Sequence, residues 1–114
     1  AVLNNALELK TRPGLFFAGQ ITGFEGYMES AAAGLLAARA ALANINGQSY
    51  APPPADTMCG ALLAYVTEPN EDFQPMGANM GLLPPLEEVV KGKQQRYEVL
   101  AQRALAAIKS WENL

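Results

Sequence analysis

Gly14-Leu15-Phe16-Phe17-Ala18-Gly19-Gln20-Ile21-Thr22-Gly23-Phe24-Glu25-Gly26-Tyr27-Met28-Glu29-Ser30-Ala31-Ala32-Ala33-Gly34-Leu35-Leu36 is the stretch whose reading decides the fold. Leu15–Ala18 is a short continuous apolar run with glycine at both ends, which predicts a strand buried on both faces of a parallel sheet. The glycine-rich loop from Gly19 to Gly26 follows. A helix is expected from Tyr27 to about Ala43, with Glu29 near its start suiting the helix dipole. Alanines and Gly34 make that helix thin enough to pack close to a sheet. Strand, turn and helix start together form an anion-binding device, because the first N–H groups of a helix have no partners within it. The spacing is not that of a G-x-G-x-x-G turn, so on spacing alone an ordinary strand–loop–helix connection fits equally.

Working outward, residues 1–13 read as an extended lead-in, with Leu7, Leu9 and Thr11 alternating with Glu8 and Lys10, before an Arg12-Pro13-Gly14 turn. Downstream, Gly47 is placed to stop the first helix. Pro52-Pro53-Pro54 makes a stiff connector. Asp56 or Thr57 is the expected N-cap of a second helix from about Met58 to Val66. Glu68-Pro69-Asn70-Glu71-Asp72 is a polar turn, and Phe73–Pro85 is irregular but too apolar for a solvated linker. A last helix, starting at Leu86 or Lys93 and reaching Trp111, sets Tyr97, Leu100, Ala101, Ala104, Ile108 and Trp111 on one face, with Gly92 breaking its first turns.

Composition sets the limits. Half of the 114 residues are hydrophobic and 17% are charged, which allows a core and excludes disorder, although a core of this size is modest. A net charge of −3 argues against a principal nucleic-acid surface within the chain. Lys91, Lys93, Arg96, Arg103 and Lys109 read as a solvated face rather than phosphate ligands. There is no histidine, and no metal site is expected. The single cysteine, Cys59, sits in an apolar helical context and reads as inert core; it fits a reducing, cytoplasmic setting. No apolar run spans a membrane and no signal peptide is evident, while the start without methionine is expected to be a truncated one.

Gly14–Gln20 resembles the late flavin-contacting segment of flavoproteins with two dinucleotide-binding domains. The string from Gly19 to Leu35, with Gly60–Thr67, Phe73–Pro85 and Arg96-Tyr97-Glu98, is similar to the folate- and FAD-dependent tRNA (uracil-5-)methyltransferase family along nearly the whole chain. That resemblance implies an α/β fold: the C-terminal part of a Rossmann-like FAD-binding domain, predominantly helical with one or two strands. Residues 1–47 would be the strand–turn–helix flavin segment and residues 57–114 the helical C-terminal segment. It also implies ribothymidine formation in the T-loop of tRNA, with methylenetetrahydrofolate as carbon donor and with FADH2, restored by NAD(P)H, as reductant.

By the same resemblance Gly19, Gln20, Ile21, Thr22, Gly23, Tyr27, Glu29 and Ser30 are the cofactor-binding residues. Gly19 and Gln20 would lie against the flavin, and Thr22 and Gly23 would shape the pocket wall. The amides around Glu29 and Ser30 would face the N1–C2=O edge, and Tyr27 would stack beside the ring in a supporting catalytic role. Cys59 stands where the family usually has an aliphatic residue and inherits no catalytic role. tRNA would be held mainly by parts outside this chain, and the rest of the parent polypeptide would be its other partner. Alone, the chain is expected to be inactive, and unstable or self-associating, because Leu15–Ala18 would leave unpaired strand edges. Two other readings are weighed against this one: a MnmG (GidA)-type flavin-dependent tRNA uridine-modifying protein, and a non-catalytic helical interaction module.

Overall fold

A computed structural model describes residues 2–69 and 73–112. The chain is mostly helical: α1 spans Tyr27–Ile45, α2 Met58–Thr67 and α3 Lys93–Glu112, with short 3-10 turns at Gln20–Thr22 and Met80–Leu82. The centre of the expected polar turn, Asn70-Glu71-Asp72, lies outside the described residues.

Local chemistry explains each helix boundary. Gly26 (φ 111°) leads into α1 through a backbone conformation that a side chain would disfavour. At the other end Gly47 adopts φ 66°. Its N–H donates to Asn44 O at 3.2 Å and the N–H of Gln48 donates to Ala43 O at 2.8 Å, the paired bonds of a glycine-terminated helix. Of the two N-cap candidates for α2, Thr57 serves: its Oγ1 accepts from Gly60 N at 3.0 Å and donates to Pro54 O at 2.6 Å. Gly60 is required there because an added Cβ would run into the Pro54 and Pro53 carbonyls. The stiff triple-proline connector is thereby pressed onto the first turn of α2. Gly92 (φ 91°) immediately precedes α3, so the last helix takes the later of its two expected starts.

The expected strand at Leu15–Ala18 is reduced to one bridging residue: Phe16 pairs antiparallel with Glu8. The other isolated bridges are Leu3 with Leu9 and, in parallel, Phe24 with Met76. No continuous strand forms among the described residues, because no segment runs alongside Leu15–Ala18 for long enough to complete a ladder. Nor is this run buried on both faces, since Leu15 is exposed and Phe16 and Phe17 are only half-buried.

The main core joins the lead-in, the glycine-rich turn, α1 and α2 through Leu3, Leu7, Phe24, Ala33, Leu36, Ala37, Leu62, Leu63 and Val66. Leu7 is fully buried at φ 60°, a strained backbone held by the Asn4 side chain, which accepts from Ala6 N at 2.9 Å and Glu8 N at 3.2 Å. A smaller cluster of Ala61, Leu83 and Leu100 attaches α3. Around it, the Arg103 guanidinium donates to Pro84 O and Pro85 O and pairs with Asp56 at 3.6 Å. Trp111 Nε1 donates to Ala51 O at 2.8 Å while Arg39 stacks over its ring at 4.2 Å. Tyr97 and Ala101 fall on the solvent side, so the buried edge of α3 runs through Leu100, Ala104, Ile108 and Trp111.

The radius of gyration is 14.7 Å, against about 13 Å for a compact chain of this length. The core is correspondingly thin, and Met28, Leu35, Leu42, Ile45 and Val89 remain exposed. Among the described residues no helix is long and apolar enough to cross a membrane.

Candidate functional site

The glycine-rich turn divides into an inward and an outward set. Thr22, Gly23 and Phe24 are buried. Thr22 Oγ1 donates to Gly19 O at 2.6 Å and its N–H donates to the same oxygen at 3.0 Å, which closes the 3-10 turn. Gly23 (φ 109°) lies against the Phe73 ring and Val66, so an added Cβ there would clash. Its carbonyl accepts from Met76 N at 2.8 Å, and Glu25 N donates to Met76 O at 2.9 Å. Thr22 and Gly23 therefore hold the turn's shape from inside the chain's own core and do not display side chains at its surface.

The outward set is Gln20, Ile21 and Tyr27, with Gly19 half-buried beside them. Ile21 is 79% exposed and Tyr27 98% exposed, so both apolar side chains stand almost free at the mouth of a turn fixed from behind. Gly19 adopts φ 85° with nothing within 4 Å of where a Cβ would sit, which leaves its backbone open to close approach.

The start of α1 differs in detail from the expected arrangement of amides. Ser30 N donates to Gly26 O at 3.0 Å, the first ordinary turn of the helix. Glu29 turns its carboxylate back to accept from its own backbone N–H, and Oε2 also accepts from Ala78 N at 2.8 Å. The bond from Ala78, then that from its own backbone, holds the Glu29 carboxyl below its usual range. Glu29 is thus a strap that ties the Phe73–Pro85 arm to the helix start. By helix geometry, the N–H groups left without intrahelical partners nearer the turn are those of Tyr27 and Met28.

The arm was the feature whose placement residue types did not reveal. Tyr65 OH donates to Gln74 O at 3.0 Å, and the Tyr65 and Phe73 rings pack with centroids 5.7 Å apart. With the Met76 bonds and the Glu29 strap, the arm becomes a backing wall for the turn. Its apolar content was the one available signal. Cys59 is half-buried and burial pushes its thiol up, in keeping with its reading as inert. A hollow of about 650 Å³ between the lead-in and the start of α2 is lined by Leu3, Asn4, Lys10, Pro53, Gly60 and Thr67, and it contains none of the candidate residues.

Residues 1–49 match the family described as glucose inhibited division protein A. The chain is 50% identical over 111 residues to the methylenetetrahydrofolate–tRNA-(uracil-5-)-methyltransferase TrmFO of Shouchella clausii, covering 96% of this chain and 26% of that protein. It is 50% identical over 115 residues to the TrmFO of Rhizorhabdus wittichii, with the same coverage. The TrmFO of Sulfurihydrogenibium sp. is 46% identical over 110 residues, covering 96% of this chain and 25% of the relative. The chain thus spans about a quarter of the length of the curated relatives it matches. Along 96% of its length the chain is thus similar to part of proteins named methylenetetrahydrofolate–tRNA-(uracil-5-)-methyltransferase TrmFO.

Proposed function

We propose that Gly19–Ser30 forms the isoalloxazine-facing wall of an FAD site in a methyltransferase that makes ribothymidine in tRNA from methylenetetrahydrofolate. The observation that carries this reading is the division of the turn. Its inner residues are locked by Thr22, Phe73 and Met76, while Gln20, Ile21 and Tyr27 stand outward beside a helix start. A rigid turn that exposes apolar side chains suits a large flat ligand, because its conformational entropy is already spent.

The chain's residues fit the group. The open Cα side of Gly19 admits a close ligand approach, and Gln20 offers an amide for a polar edge. Tyr27 offers a ring face that would hold the isoalloxazine and exclude water. The N–H groups of Tyr27 and Met28, at the positive end of α1, are placed to stabilise negative charge on a ring edge. Thr22 and Gly23 act from behind by fixing the turn, and Glu29 and Ser30 act by fixing the helix start and the arm. When bound, the flavin would supply the reducing equivalents, with NAD(P)H as their source and the folate as the one-carbon donor.

The larger domain is read as Rossmann-like, with this chain its C-terminal part and the sheet supplied elsewhere in the parent. tRNA contacts and nucleophiles would also lie elsewhere, the chain alone would be inactive, and a cytoplasmic location fits a tRNA substrate. The matched relatives carry the TrmFO name over 96% of this chain, which favours this reading over the MnmG type and over an interaction module. The test is spectroscopic. The full-length parent, purified, should carry the absorption bands of a bound flavin and form ribothymidine in tRNA transcript only when methylenetetrahydrofolate is added. A colourless protein that cannot be reconstituted with FAD would end this reading.

A further inference from the structure

The outward face of α1 carries Met28, Ala31, Leu35, Ala38, Leu42 and Ile45 at alternating three- and four-residue steps, all exposed. The large members are 81% (Met28), 71% (Leu35), 59% (Leu42) and 79% (Ile45) exposed. The opposite face, through Ala33, Leu36, Ala37 and Ala40, is already buried against the chain's own core. The helix is thus apolar on both sides, the pattern of a helix buried all round rather than of a surface helix. No charged residue interrupts the outward stripe, and the flanking Arg39 is turned over Trp111. Gly34 lies midway along the helix on the flank of this face, half-buried, and a Cβ there would meet nothing within 4 Å. Glycine is disfavoured inside a helix, and among the described residues nothing approaches that position closely enough to need it.

We propose that this face seats the part of the parent polypeptide lying outside these 114 residues, with a backbone segment brought into contact at Gly34. The relatives supply the occupant, since this chain covers only 26% of the length of the Shouchella clausii protein. A second copy is the weaker occupant. The face is about 27 Å long and 10 Å wide, on the order of 270 Å² of footprint, and a stable interface takes about 800 Å² per partner. Alternation of large and small side chains along the stripe suits a flat apolar surface pressed close at Ala31, Gly34 and Ala38. The inference rests on the greater length of the matched relatives and not on the flavin reading.

Full-length parent protein tests it. Leu35→Cys, in a Cys59→Ser background, is labelled with a maleimide and read by peptide mapping, with Gln102→Cys on the exposed side of α3 as reference. The cysteine at 35 should react at least about tenfold more slowly than that at 102 in native buffer and equally fast in denaturant. Equal native rates would overturn the proposal. So would protection that disappears on dilution together with an oligomer in size-exclusion chromatography, which would assign the face to self-association. In parallel, Gly34→Leu should lower the Tm of the parent; an unchanged or raised Tm, as helix propensity dictates for a solvent-facing site, would also overturn it. Both readouts are taken with and without added FAD. A protected face in a protein that never binds flavin would therefore defeat the flavin reading alone.

Discussion

Tyr27→Ala separates ligand binding from folding more cleanly than any other change in this chain. The side chain is 98% exposed and makes no hydrogen bond among the described residues, so its removal should leave the chain's own stability within about 0.5 kcal/mol. If the ring instead stacks on a flavin, truncation removes an aromatic contact worth about 0.5–1.5 kcal/mol, a rise in Kd of about two- to twelvefold. The assay is titration of the apo form of the full-length parent with FAD, followed by flavin fluorescence, alongside a thermal melt of the apo form. Tyr27→Phe keeps the ring and should bind within about twofold of the parent protein. Unchanged FAD affinity in Tyr27→Ala would refute the stacking role. A large loss of apo stability with affinity intact would show that Tyr27 is a packing residue of the assembled protein.

Three further outcomes follow from the geometry. Thr57→Val keeps the shape of the side chain and removes both hydroxyl bonds; it should cost about 1–2 kcal/mol by chemical denaturation, while Thr57→Ser should be nearly neutral. The Glu29 carboxyl is held below its ordinary value of 4.5 by the Ala78 amide. Its tie to the arm should therefore be intact above pH 4.5 and be lost as pH falls through the lower folded-state value. The protection factor of the Ala78 amide, its exchange rate compared with that of an unstructured amide at the same pH, should fall on that acid limb and should be lost at every pH in Glu29→Ala. Cys59, whose thiol is raised by burial, should react slowly with a disulfide reagent at pH 8 and rapidly once the chain is unfolded.

The sequence by itself determined the helices. Alanine-rich Tyr27–Ile45, Thr57 before Met58, and Gly47 and Gly92 as punctuation are local signals, and local backbone chemistry answers them directly. It also determined the likeness to the TrmFO proteins, because that depends on the order of residues and not on their positions in space. Pairing and burial were another matter. Leu15–Ala18 carries the composition of a buried strand, yet a strand exists only beside a partner, and here Phe16 finds just Glu8. The face of α3 was read one step off at Tyr97 and Ala101, because periodicity reports which residues are apolar and not how wide their cover is. The site divided in the same way. Gln20, Ile21 and Tyr27 stand outward, Thr22 and Gly23 turn into the core, and Glu29 accepts from Ala78, a residue 49 positions away. No spacing rule links Glu29 to Ala78 or Gly23 to Phe73; only tertiary structure brings the arm behind the turn, where contact of the half-exposed Phe73 ring with Gly23 and backbone bonds to Met76 outweigh the entropy of ordering it.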